Sequence, residues 1–180
     1  MASYEEVGIQ VDNALRQLSI DTKGLTGEAL RAELTAFIGR QSVAAEGKVT
    51  MLWACRTADG IVGYGDVADA IAEADDPNIR TLNKTVANRV LANDAFMDLV
   101  ATSYGFNAKE FREAAWESEM GLKKKAFLFD GKNGLWAQIS KRFAQETTGE
   151  LRIMTSNPSC LLYTSPSPRD RTRSRMPSSA

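Results

Sequence analysis

Three side chains in this 180-residue sequence have the types and positions that ligand chemistry needs: Trp53, Trp136 and Ser140. Trp53 ends a short apolar run, KVTMLWA, and Trp136 opens an amphipathic stretch, LWAQISKRFA. α/β folds bind ligands at strand carboxyl ends and helix amino ends, since free backbone N–H groups there suit anions. Trp136 and Ser140 are four residues apart and so share a helix face. An indole beside a hydroxyl predicts a contact for a nucleotide or nicotinamide ring.

The same residues also fit a structural interpretation, in which both indoles pack in the core. Cys55 follows the apolar run, but a nucleophilic thiol needs a neighbouring base or cation, and the sequence assigns it none. The sequence has no His, which excludes a Ser-His triad, His acid–base catalysis and His metal ligands. Two Cys are too few for a zinc site or a disulfide framework.

Composition narrows the class of protein and of partner. With 43% hydrophobic and 25% charged residues, the chain has the balance of a single soluble globular domain. No apolar run approaches the roughly 20 residues that span a bilayer. The first residues, MASYEEVGIQVDNAL, lack the pattern of a secretion signal. We therefore expect no membrane partner and a cytoplasmic location.

The ending CLLYTSPSPRDRTRSRMPSSA differs in composition from everything before it. It holds four Arg and one Asp, so the rest of the chain carries 18 basic and 22 acidic residues. That mildly acidic body argues against a nucleic-acid partner. Codons for the ending can be written as a transposase-type sequencing adapter, so we interpret residues 160–180 as an artefactual or disordered tail. The alternative is an Arg/Ser tail that binds RNA.

Apolar spacing predicts the elements that would position these residues. Helices are predicted at 4–18, 26–40, 64–76, 85–105 (two short helices broken at Asn93-Asp94), 107–125 and 133–149. Strands are predicted at 48–54, 78–85 and 150–156. Three boundary residues are also predicted: Gly39 ends the second helix, Asn107 caps the helix at 107–125, and Asn133 caps the last one.

This order predicts an α/β fold entered through helices. Residues 1–45 form a helical amino-terminal segment, and residues 46–159 form an α/β domain. In that domain a small, mainly parallel sheet is flanked by helices and is incomplete at the carboxyl terminus, because the strand at 150–156 has no visible continuation.

The segment GLWAQISKRFAQETTGELRIMTSN resembles the second-tryptophan segment of ADP-ribosyl cyclases and NAD glycohydrolases. In that family, an aromatic-Trp pair, a hydrophobic residue, Ser and Phe-Ala lead through a short spacer into a strand. The upstream stretch VTMLWACRTADGIVGYGDVADAI is similar, more loosely, to the strand that carries the family's first tryptophan. The resemblance covers about residues 49–156.

The resemblance implies an enzyme that holds NAD, as its substrate and not as a cofactor, between two indoles around the nicotinamide. Trp53 matches the first indole, Trp136 the second, and Ser140 the serine near the reacting sugar carbon. Arg56 stands one place later than the family's phosphate-binding arginine. The family's catalytic glutamate lies in a Phe-Gly-x-x-Glu stretch after the last strand, and this sequence has no such stretch. The chain as written is therefore expected to be truncated and inactive.

Two hypotheses about function stay open. The first is a fragment of an NAD-cleaving enzyme, such as a bacterial or phage toxin domain, with NAD and an immunity protein as partners. Delivery as a toxin domain is then the alternative to a cytoplasmic location. The second is a non-catalytic helical adaptor or virion-associated protein in which both tryptophans belong to the core. The first also predicts that ELRIMTS leaves a sheet edge open to aggregation.

Overall fold

The computed structural model describes residues 3–53, 77–129 and 133–154, with the backbone alone at Trp53 and Met154. Its helices are α1 (Tyr4–Asp21), α2 (Gly27–Arg40), α3 (Val86–Leu91), α4 (Asp94–Ser103), α5 (Ala108–Glu113), α6 (Glu119–Phe129) and α7 (Leu135–Glu146). Its strands are β1 (Val49–Trp53), β2 (Ile79–Thr81) and β3 (Glu150–Met154), and a 3-10 helix (Leu82–Lys84) follows β2. Outside the described residues lie the helix predicted at 64–76, Cys55, Arg56 and the tail at 160–180.

The strands form a parallel sheet in the order β2-β1-β3. Val49 in β1 pairs with Ile79 on one side and with Glu150 on the other. Parallel strands of one sheet need crossover connections. The connection from β2 to β3, which lie on opposite sides of β1, runs through α3 to α7. The predicted class is confirmed: an α/β fold with a helical amino-terminal part and a small parallel sheet with helices.

One apolar core joins the amino-terminal helices to the later ones. Its members include the residues whose spacing predicted α1, α2 and α7: Val7, Val11, Leu18, Leu30, Leu34, Phe37, Ile38, Leu135, Ile139 and Phe143. Residues three or four apart lie on one side of a helix, so each helix buries the face that its spacing predicted. Leu52 of β1 packs against this core. The described side chains before residue 45 therefore share their core with the α/β part.

Polar caps begin two helices where the sequence predicts them. Asn93 caps α4, and its Oδ1 accepts a hydrogen bond from the Ala95 N–H at 2.9 Å. Asn107 caps α5 and accepts from the Glu110 N–H at 3.1 Å. Each cap satisfies a backbone donor that has no partner within its helix. The break between α3 and α4 therefore falls where it was predicted.

The long helix predicted at 107–125 is wrong, because the structure divides this stretch into α5 and α6. Ala114 is extended and ends α5. Ser118 then accepts from the Gly121 N–H at 3.0 Å, as a hydroxyl does at the start of a helix. Trp116 consequently lies between the two helices, where it is 44% exposed.

Three smaller predictions also need correction. Gly39 lies inside α2, which ends one residue later at Arg40. Gly134 and not Asn133 is the N-cap of α7, because Gly134 is the last extended residue before the helix. The strand predicted at 78–85 is short, since the backbone turns into the 3-10 helix directly after β2.

Arg142 ties α7 to the end of α2. Its guanidinium donates to the Ile38 carbonyl at 3.2 Å and to the Gln41 carbonyl at 2.6 Å. Carbonyls at a helix carboxyl terminus lack partners within the helix, and a cation there also interacts favourably with the negative end of the helix dipole. Arg142→Met keeps an apolar stem but removes both bonds, and we expect it to lower the free energy of unfolding by about 2 kcal/mol. Urea denaturation measures this loss.

Arg152→Met is the matched control for that experiment. Arg152 pairs with Glu150 at 2.8 Å, but both side chains are more than half exposed. Exposed ion pairs contribute little to stability. We expect no measurable change, and equal losses in the two variants would contradict the structural role given to Arg142.

Candidate functional site

The carboxyl edge of the sheet has the topology of a ligand-binding crevice. Trp53 ends β1 and pairs with Met154, which ends β3. β1 is the first strand in the chain and the central strand of the described sheet, with β2 on one side and β3 on the other. The strand order therefore reverses at β1. In open α/β sheets, ligands bind outside the carboxyl ends of the strands at such a switch point.

Trp136 lies in the first turn of α7, the helix that precedes β3. α7 ends at Glu146 and β3 begins at Glu150, so the carboxyl end of α7 lies near the amino edge of the sheet. The first turn of α7 carries Trp136 and lies about 15 Å away along the helix axis. There the Trp136 indole N–H donates to the Asn88 Oδ1 at 3.0 Å. Asn88 belongs to α3, whose Ala87 N–H donates to the carbonyl of Ser42 in the segment that leads into β1.

Trp136 also belongs to a group of stacked aromatic rings that we call the aromatic ladder: Trp116, Phe129 and Trp136. The Phe129 and Trp136 rings are nearly parallel, with centroids 4.8 Å apart and 9° between their planes. Trp116 meets Phe129 edge to face at 5.4 Å. Phe129 therefore covers one face of the Trp136 indole, and the same side chain also packs against the apolar core. Aromatic stacking of this kind contributes to the stability of the fold. The same kind of stacking would stabilise a bound ligand ring.

Ser140 lies one turn beyond Trp136 on α7 and is exposed. The structure thus brings Trp136 and Ser140 together on one helix, as predicted. It places Trp53 by its backbone at the end of β1. Arg56 lies outside the described residues.

Lys124 lies beside the aromatic ladder, and its contacts give it a structural role in the fold. Its Nζ is 5.4 Å from the centroid of the Trp116 ring and donates to the Arg112 carbonyl at 3.0 Å. Burial lowers the pKa of the Lys124 amine. Because Arg112 lies in the last turn of α5, the ammonium satisfies a helix-end carbonyl. Lys124 is therefore a capping residue for α5.

The sequence did not reveal two residues that shape this site, Asn88 and Phe129. Asn88 is 8% exposed and lies 48 positions from the indole that it binds, so no local pattern links the pair. Phe129 carries a weak signal, since it is the last residue of AFLF, the apolar run that precedes GLWAQIS. That signal gives no indication of which ring it stacks on.

Three further observations limit the kind of site. In the part of the chain that the structure describes, no group of three or more Cys, Asp or Glu could hold a metal ion. None of the helices in those ranges is both long and apolar enough to cross a bilayer. A groove of about 540 Å³ lies elsewhere, beside α1, and is lined by Tyr4, Glu5, Ile9, Asp12 and Arg89 among others.

No protein-family model, curated protein or solved structure matches this chain.

Proposed function

We propose that the chain is a fragment of an NAD-cleaving enzyme whose substrate site opens at the carboxyl edge of the sheet. The observation that supports this proposal is the reversal of strand order at β1, with Trp53 at the switch point. α7 begins at Leu135 without a side-chain cap. Backbone N–H groups at helix amino ends suit the pyrophosphate of a dinucleotide.

In this proposal Trp53 and Trp136 enclose the nicotinamide, Ser140 lies near the ribose and Arg56 contacts a phosphate. Cleavage breaks the bond between the ribose carbon and the nicotinamide nitrogen. The electron pair of that bond leaves with nicotinamide, which departs neutral, so no proton needs to reach it. The positive charge that remains on the sugar needs a carboxylate. No residue of this chain is assigned that role, so the chain binds NAD without cleaving it.

Titration calorimetry of the 180-residue chain with NAD tests the proposal. We expect binding without release of nicotinamide. Trp53→Ala removes one aromatic wall and is expected to weaken binding about tenfold, the equivalent of one lost ring contact. Trp116→Ala is the matched control, because Trp116 is 44% exposed and is assigned no contact with NAD. No binding, or equal weakening by both variants, would contradict the proposed site.

The genomic sequence beyond Ser159 provides an independent check of the enzyme class. Resequencing with an unrelated adapter shows whether the reading frame continues into a Phe-Gly-x-x-Glu stretch. A chain extended in that way should release nicotinamide from NAD, and its Glu→Gln variant should not. If the frame instead encodes the Arg/Ser ending, the enzyme proposal loses its catalytic group.

The second candidate is a non-catalytic helical adaptor or virion-associated protein, and one observation favours it. Trp136 already has a partner for its N–H in Asn88 and for one ring face in Phe129. An indole with both kinds of partner has a complete structural role. An adaptor would show no heat with NAD, and its association would depend on exposed side chains away from the sheet edge.

A further inference from the structure

The groove beside α1, which we call the α1 groove, shares no residue with the site proposed for NAD. Its volume of about 540 Å³ falls within the range of pockets that hold small organic ligands. Its lining includes Tyr4, Gly8, Ile9, Asp12, Arg89 and Asn93. A cation, a carboxylate, an amide and an apolar side chain therefore meet in one groove, and a single ligand can contact all four.

The Arg89 guanidinium is held in the α1 groove with most of its donors unused. It lies over the Tyr4 ring at 4.2 Å, and its Nη1 donates to the Tyr4 carbonyl at 2.8 Å. Its Nη2 lies 3.3 Å from the point where a side chain on Gly8 would begin. No described carboxylate lies within 4.0 Å of this cation. A guanidinium fixed in this way binds a carboxylate with little further loss of side-chain freedom.

Asn93 adds a second donor to the groove. Its Oδ1 accepts from the Ala95 N–H at 2.9 Å, so the cap of α4 fixes which end of the amide is oxygen. The other end, Nδ2, is a donor. The neighbouring carboxylate, Asp94, pairs with Arg112 at 2.9 Å. Arg89 and Asn93 therefore present N–H groups to the groove and favour an anionic group there.

Asp12 places a carboxylate one turn along α1 from Gly8. Four residues correspond to about 6 Å along a helix axis, and helical side chains lean towards the amino end of their helix. Asp12 therefore leans back towards Gly8 and the Arg89 guanidinium, while Glu5 leans away from them. Since Asp12 and Arg89 form no ion pair within 4.0 Å, the groove has space between them for a group that carries both charges.

The remaining charges on this face limit the net charge of a ligand. Arg16 donates to the Asn13 Oδ1 at 3.2 Å, and Glu6 accepts from the Ser3 N–H at 2.7 Å as part of the α1 cap. Glu5 also lines the groove, at its amino end. The lining then carries two carboxylates and one guanidinium, a net charge that disfavours a ligand that is anionic overall. A zwitterion meets the guanidinium and a carboxylate without adding net charge.

We propose that the α1 groove binds a free α-amino acid with an aliphatic side chain. The carboxylate of the ligand contacts Arg89 and Asn93, and its ammonium contacts Asp12. Its side chain covers Ile9, which is 61% exposed. Charge-assisted hydrogen bonds and apolar burial together supply the affinity. An α-amino acid carries both charges on groups attached to one carbon, so it suits the short span between Gly8 and Asp12.

An NMR titration of the isotope-labelled 180-residue chain with L-leucine tests the proposal. We expect saturable shifts of the amide signals of Gly8, Ile9 and Asn93. N-acetyl-leucine lacks the ammonium and leucinamide lacks the carboxylate. Each analogue is expected to bind about tenfold more weakly or worse, because a charge-assisted contact is lost. The absence of a saturable shift with leucine overturns the proposal, as does equal binding of either analogue.

Asp12→Asn tests the ammonium contact. The change keeps the size of an exposed side chain and removes its charge, so folding should be unaffected, which a thermal melt verifies. We expect the affinity for leucine to fall about tenfold, while the affinity for N-acetyl-leucine stays the same. Glu28→Gln is the control for charge, because Glu28 is exposed on α2 and does not line the groove. Equal weakening of leucine binding by both variants overturns the contact assigned to Asp12.

Discussion

Trp136→Ala is expected to lower the free energy of unfolding by about 3 kcal/mol, near the lower end for the loss of a core aromatic side chain. Trp136 is partly buried, packs against the core and stacks on Phe129 at 4.8 Å. Its removal also leaves the Asn88 Oδ1 without the donor that now lies 3.0 Å away. A buried acceptor without a partner adds its own penalty to the lost packing. Urea denaturation measures the sum.

Trp136→Phe separates the two contributions. A phenyl ring keeps stacking on Phe129 but cannot donate to Asn88, so we expect a loss of about 1–2 kcal/mol. Trp116→Ala is the control for a ladder residue that is mostly outside the core, since Trp116 is 44% exposed. We expect its effect to be below about 1 kcal/mol. Equal losses from Trp116→Ala and Trp136→Ala would contradict the packing described for α7.

These variants also distinguish the two proposed functions when NAD binding is measured on each folded variant. An NAD site needs Trp136 for the ligand and for the fold, so Trp136→Ala should weaken binding beyond what the remaining folded fraction explains. An adaptor needs Trp136 for the fold alone. In that case the stability loss appears without any heat of NAD binding, in the native chain or in the variants.

The helices that the sequence predicted best are those whose buried faces are regular. Leu135, Ile139 and Phe143 repeat every four residues, and all three are buried in α7. Local spacing determines which side of such a helix is apolar, and burial follows from that. The same regularity predicted α1 and α2, and with the short strands it was enough to predict the fold class.

The stretch at 107–125 was mispredicted because its break depends on a tertiary contact. Gly121 in α6 packs directly on the backbone of the preceding loop, and a Cβ at this position would overlap the Ala115 carbonyl. The composition of residues 107–125 does not indicate that contact. Ser118 was the one local signal, since a serine three residues before a helical glycine can start a helix.

The candidate site likewise combines positions that the local sequence predicts with contacts that it does not predict. The sequence located Trp53 at a strand end and Trp136 at a helix start, because both are local properties. It could not give the contact of Trp136 with Asn88 or Phe129, because these residues meet only when separate helices pack. The strand order β2-β1-β3, which creates the switch point, also depends on pairing between distant segments.

Gly47→Ala is expected to destabilise the sheet that carries this switch point. Gly47 precedes β1 and has a φ of 132°, a conformation that side chains other than glycine rarely adopt. A Cβ there would lie 2.8 Å from the Arg80 nitrogen and 2.9 Å from the Ile79 carbonyl carbon. Both atoms are backbone of β2, so no side chain can rotate away. Backbone strain and overpacking each cost about 1–3 kcal/mol, and we expect a total loss of about 4 kcal/mol.

Gly39→Ala makes the same chemical change at a position where it should be harmless. Gly39 lies within α2, and a Cβ on it meets no atom within 4 Å. Alanine favours the helix over glycine by up to about 1 kcal/mol, so this variant should be slightly more stable than the native chain. Chemical denaturation of the two variants therefore gives shifts of opposite sign. If Gly47→Ala shifts the midpoint no more than Gly39→Ala does, β2 does not approach β1 as closely as described. The switch point at Trp53, and the site proposed there, would then lose their structural basis.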